Sequence, residues 1–268
     1  MLSIAAGLLA AYIDSIWILT VVGVIIAATI VTSRVASLWF VVISGLILIG
    51  AAQLYVPAAQ YLKYLPPLAA SGLLLHVAAD WLSVRRPAVP STVYAFLAFL
   101  FVGIVSMIAN WQSVGMILIG LKGYYPMWSL FLGLALIRWQ PAAINSLPKA
   151  MLVIAMFQLP FVAHQFLYLV PVRAASHIPG LVPVDIVAGT FGGALFGGGA
   201  NAVLSLFLIT VCACLLGMWR QAVISAPVAL GIVAVLLIPV MLNSSKVALI
   251  YLPIVFVTIF YAEIIRQP

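Results

Sequence analysis

The chain has 268 residues, of which 67% are hydrophobic and 6% charged. Soluble domains carry about 25% charged residues, so composition excludes a soluble enzyme and points to an all-α, polytopic transmembrane helix bundle. The net charge of +7 does not imply nucleic acid, because the cations stand singly between apolar runs, as topology determinants do.

A helix needs about 20 apolar residues to cross a bilayer. No basic n-region precedes the first apolar run, so no cleavable signal peptide is expected. Residues 1–13 are apolar and either extend the first span or lie in the interface. About nine spans are expected, over 15–32, 35–56, 65–83, 92–109, 124–138, 149–171, 202–219, 225–242 and 245–263. Residues 113–122 are too short to cross and read as an interfacial or re-entrant helix. Neither a soluble domain nor a transporter-like internal repeat breaks the pattern, so residues 1–268 read as a single membrane domain.

The positive-inside rule gives one orientation. It places Arg34, Arg85, Arg86, Arg138, Lys149, Arg220 and Arg266 in the cytoplasm. Lys63, Lys122, Arg173 and Lys246 then lie outside, each at the outer end of a span. These exceptions either snorkel to lipid phosphates or build a basic cavity for a diphosphate, since Arg forks onto phosphate oxygens and Lys adds a point charge. Lys246 follows Asn243-Ser244-Ser245 between apolar runs, and is expected to point into the bundle.

The sixth span contains Gln158, Pro160, His164 and Gln165. Intramembrane polar groups face the bundle interior or a wet cavity. His164 is either a proton acceptor or a helix–helix hydrogen-bonding group, and Pro160 is expected to kink the helix.

After this span comes a glycine-rich segment, Pro171–Asn201, with Arg173, His177, Asp185, Thr190, Gly192, Gly193 and Gly197. Its backbone cannot lie bare in hydrocarbon, so it must sit at the interface or line a cavity. The Gly193–Gly197 spacing suits close helix packing, a turn, or close approach of backbone to a ligand. N–H groups at the start of the seventh span suit an anion. Neither a phosphate-binding P-loop nor a dinucleotide fingerprint is present.

Among the carboxylates, Asp185 either pairs with Arg173 or serves as a base. Asp80 is expected to pair with Arg85 or Arg86 and to bond His76 on its helix face, and Glu263 to pair with Arg266. Cys212 and Cys214 point to different helix faces, which argues against a disulfide. No metal-ligand spacing occurs, and no cofactor is expected.

The run FQLPFVAHQFLYLVPVRAASHIPGLVPVDIVAGTFGG, followed by FGGGAN and a further span, resembles the bacterial O-antigen polymerase and ligase family, nearest to its exopolysaccharide-polymerase branch. The matching features are Gln158 and Pro160 in one span, then Arg173, then Asp185 through Gly192. GLKGYYP around Lys122 and LNSSKVALIYLP around Lys246 resemble two more family features, with Ser245 standing where the family often has an acid. The resemblance covers most of residues 110–265. Family members usually continue into a large outer loop and further spans, so the resemblance implies either the N-terminal part of a longer polymerase or a chain that lacks part of the active site.

The resemblance implies a glycosyltransferase of a bacterial inner membrane acting on undecaprenyl-diphosphate-linked oligosaccharides at the outer leaflet, without metal or nucleotide. Lys122, Arg173 and Lys246 would meet the diphosphate. His164, His177 or Asp185 would orient or deprotonate the acceptor, and Thr190, Gly192 and Gly193 would contact substrate. The implied partners are the lipid-linked glycan, the bilayer, and polysaccharide export or chain-length proteins. A transporter or flippase of an anionic envelope glycan, and a non-catalytic scaffold in polysaccharide assembly, are the alternatives.

Overall fold

A computed structural model describes residues 16–55, 64–83, 89–110 and 113–266. Asp14, Lys63, Arg85 and Arg86 fall outside the described residues, as do the side chains of Lys122, Glu263 and Arg266. The described residues are helical, with no strand beyond one isolated bridge between Gly193 and Gly199. In order, the helices are α1 (Ile16–Thr32), α2 (Arg34–Ile43), α3 (Ile49–Tyr55), α4 (Leu65–Leu82), α5 (Ser91–Ala109), α6 (Val114–Leu136), α7 (Pro141–His164), α8 (Val170–Ala175), α9 (Asn201–Arg220), α10 (Ala226–Leu242) and α11 (Lys246–Arg266). A π-helical turn, Ser44–Leu48, joins α2 to α3, and a second, Gln165–Leu169, joins α7 to α8.

Among the described residues, five helices are long and apolar enough to cross a membrane: Arg34–Tyr55, Leu65–Leu82, Ser91–Ala109, Pro141–Ala175 and Asn201–Arg220. This is the composition of a membrane protein. Two expected boundaries are corrected. Residues 113–122 are not a separate interfacial piece, because α6 runs unbroken from Val114 through Pro126. Proline removes one backbone donor, which kinks a helix without obliging it to stop when the surrounding bonds persist. Likewise Pro171 does not open the loop. The π turn before it widens the backbone ladder, and the helix continues to Ala175, so Arg173 is a helical residue.

The chain forms two compact units, residues 1–42 with 64–139, and residues 43–63 with 140–268. In the first, α4 packs against α1 and α6. Leu38, Ala69, Ala70 and Leu73 are fully buried there. A Cβ on Gly72 would fall 2.1 Å from the Ile30 side chain, so glycine permits the α1–α4 approach. At the break after Thr32, the Ile30 carbonyl accepts from Ser37 Oγ and lies 3.1 Å from His76 Nε2. A carbonyl at a helix end needs such outside donors. That contact corrects the expected bond from His76 to Asp80. Asp80 instead takes Arg34 in a forked pair, with Oδ2 3.0 Å from Nη1 and Oδ1 2.5 Å from Nη2. The expected partners Arg85 and Arg86 lie outside the described residues. A planar guanidinium fits both carboxylate oxygens at once.

In the second unit, α9 packs against α10 and α11, and α7 packs against α9 and α10. Leu204, Leu208, Ile209, Ala229 and Leu236 are fully buried in it. The polar Asn243 is fully buried beside them. Its Nδ2 donates to the Asn201 carbonyl at 3.1 Å, and its Oδ1 accepts from the Ser245 backbone at 3.0 Å. Asn243 takes the inward polar position, and Lys246 is exposed at the start of α11, which corrects the expectation that it points into the bundle. Cys212 is buried and Cys214 exposed, both as free thiols.

Candidate functional site

The segment between α8 and α9 is a loop, and side chains hold it along most of its length. α8 ends in left-handed backbone at His177, with φ of 49° and an exposed side chain, the usual way a helix stops. A short 3-10 turn, Pro183–Ile186, follows, and Ile186 through Thr190 are buried. Because the loop carries little backbone pairing of its own, its polar groups need partners.

Two glutamines of one helix face supply those partners. Gln165 Oε1 accepts from the Ala188 and Gly189 backbones at 3.0 and 2.8 Å, while its Nε2 donates to the Gly189 carbonyl at 2.7 Å. Gln158 Oε1 accepts from the Thr190 backbone at 2.7 Å, and its Nε2 donates to Thr190 Oγ1 at 2.8 Å. Both glutamines are fully buried. Thr190 Oγ1 also donates to the Leu46 carbonyl in the first π turn. Gln165 lies about 15 Å, and Gln158 about 25 Å, down the helix from its end at Ala175, at about 1.5 Å per residue. The loop therefore dips alongside α7 and is not a surface turn. Irregular backbone survives at such depth only when protein satisfies it.

Glycines make the dip possible at three points. Gly189 has a φ of 59°, and a Cβ there would meet Gln158 Oε1 at 2.3 Å. On α3, a Cβ on Gly50 would lie 2.0 Å from the Thr190 carbonyl oxygen and 2.2 Å from the Gly192 nitrogen. A Cβ on Gly199 would overlap the Asp185 carbonyl at 1.7 Å. Gly193 and Gly197, spaced as in helix-packing motifs, lie in the loop and not on a helix. Beyond Thr190 the chain turns back on itself through the Gly193–Gly199 bridge. The result is a hollow of about 480 Å³, lined by Gln53 and by residues 191–194 and 198–200.

Arg173 is the anomaly. Only 2% of it is exposed. Its Nη2 donates to the Gly197 carbonyl at 2.6 Å, and its Nε and Nη1 have no hydrogen-bond partner among the described residues. An unmet buried donor costs about 1–3 kcal/mol, more when charged. The expected ion pair with Asp185 is absent within 4 Å among the described residues. Asp185 instead accepts from Asn201 Nδ2 at 3.1 Å, at the first residue of α9.

His164 is exposed, with Nδ1 3.0 Å from Tyr55 Oη, and it lines a separate hollow with Tyr55, Pro160 and Phe161. Lys122 lies in the middle of α6, in the first unit. Thr190 is fully buried, its hydroxyl engaged by Gln158 and Leu46. Gly192 and Gly193 do line the glycine-walled hollow. Sequence reading noted Gln158 and Gln165 as polar but missed them as the loop's anchors. Their spacing of two helical turns places them on one face, and that signal was available. No family model, curated protein or solved structure matches the chain.

Proposed function

We propose that the chain is a membrane glycosyltransferase of the O-antigen or exopolysaccharide polymerase or ligase type, joining undecaprenyl-diphosphate-linked oligosaccharides at the outer leaflet of a bacterial inner membrane. This reading takes about nine membrane crossings, with the glycine-rich loop facing outward. The observation that carries it is Arg173, a buried cation with two unpartnered donors, tied to a glycine loop that walls a hollow. A forked guanidinium with open N–H groups is suited to diphosphate oxygens. Gly197, Gly198 and Gly199 give the loop the freedom to lift from Arg173 and admit them.

In the proposed step, an acceptor hydroxyl oxygen bonds to the anomeric carbon of the donor glycan. The bond from that carbon to the diphosphate oxygen breaks, and the electron pair leaves with the diphosphate. Arg173 stabilises the charge that builds there. Asp185, whose carbonyl abuts Gly199 beside the hollow, receives the hydroxyl proton. Lys246 would add a point charge at the headgroup, and His177 would orient the glycan.

The test is chain extension by the purified protein in lipid with a lipid-diphosphate oligosaccharide, read on a gel. Extension lost in Arg173→Ala and Asp185→Asn, with folding retained, supports the reading. Extension by neither wild type nor variant rejects it. One observation favours a second reading, transport of an anionic envelope glycan: the two π turns that interrupt the helices both grip the loop, through Leu46 and Gln165. Broken helices around a midplane site are a transporter device. Counterflow in proteoliposomes without product would select it.

A further inference from the structure

A third hollow, of about 210 Å³, lies among α7, α9 and α10. Its walls are apolar, including Leu152 of α7, Met218 of α9, and Val228 and Ile232 of α10. Lys149 is the sole charged residue lining it. The Lys149 ammonium is exposed and forms no hydrogen bond or ion pair among the described residues. The lining residues come from the first half of α7, the last turns of α9 and the first turns of α10. These ends lie opposite the ends of α8 and α9 that flank the glycine loop, so this hollow and the glycine-walled one are at different ends of the unit.

We propose that this hollow holds one acyl chain of an anionic phospholipid whose phosphate sits on Lys149. An apolar slot between helices with one free cation at its edge complements a phospholipid in both parts. The slot takes methylene groups, and the ammonium takes the headgroup charge. Basic pockets between membrane helices are known to bind acidic headgroups in this way. A zwitterionic lipid would fill the slot equally but gain less from Lys149. Free phosphate would gain only the charge.

Native mass spectrometry of the purified protein, incubated with an equal mixture of phosphatidylglycerol and phosphatidylcholine, tests this. Wild type retains one phosphatidylglycerol in preference. Lys149→Gln lowers that preference about fivefold, the effect of one basic residue at a membrane surface, and Lys149→Arg restores it. Leu152→Trp, which fills the slot, removes retention of both lipids. Inorganic phosphate in excess does not displace the lipid. Equal retention of the two lipids by wild type, an unchanged preference in Lys149→Gln, or displacement by phosphate would each overturn the proposal. Lys149 is exposed, so its variants leave the fold intact and the test does not rest on Leu152→Trp alone.

Discussion

Gly50 and Thr190 meet backbone to backbone: a Cβ on Gly50 would fall 2.0 Å from the Thr190 carbonyl oxygen. The contact joins α3 to the deepest part of the loop, where Thr190 also bonds Gln158 and Leu46. Neither side of it is a flexible side chain, so nothing can rotate away. Gly50→Ala is expected to destabilise the protein by about 3 kcal/mol or more, the upper range for overpacking. Gly103→Ala, whose Cβ meets nothing within 4 Å, should be neutral or slightly stabilising. Thermal unfolding in one detergent compares the two.

The glutamine anchors make a second prediction. Gln158→Leu strips the Thr190 nitrogen of its acceptor in a buried place, which costs about 1–3 kcal/mol for the orphaned donor. Gln165→Leu orphans the Ala188 and Gly189 nitrogens together, and should cost more. Because both act on one loop, the double variant should lose less than the two single losses added. Limited proteolysis between residues 186 and 200 should follow the same order.

The forked pair between Arg34 and Asp80 supplies a third. Asp80→Leu leaves Arg34 without its partner and should lower the Tm, while Arg34→Leu with Asp80→Leu should recover most of the loss. A double variant as unstable as Asp80→Leu alone would mean that Asp80 acts through another group, such as the Arg138 backbone N–H 3.4 Å from its Oδ2.

The helices were legible because apolar runs and turn residues mark them directly. The expected segments 65–83, 92–109, 202–219 and 225–242 differ from α4, α5, α9 and α10 by a residue or so at each end. Misreadings arose where a local rule met a distant partner. Residues 113–122 read as too short to cross and Pro171 as a stop, but a continuing helix and a π turn absorb them. Asp80 was matched with neighbours in sequence, whereas its partner Arg34 is 46 positions away. The importance of Arg173 was legible from its place beside a glycine-rich run. Its burial and its two open donors were not, since they depend on how the loop folds over it.

The central claim is that Arg173 keeps two donors open for a diphosphate. Calorimetric titration with farnesyl diphosphate, a soluble lipid-diphosphate stand-in, measures this directly. Wild type is expected to bind about 10–100-fold more tightly than Arg173→Gln, the worth of charge-assisted hydrogen bonds at about 1.5–3 kcal/mol, with both proteins unfolding at similar temperatures. Equal affinity in the two proteins would contradict the account.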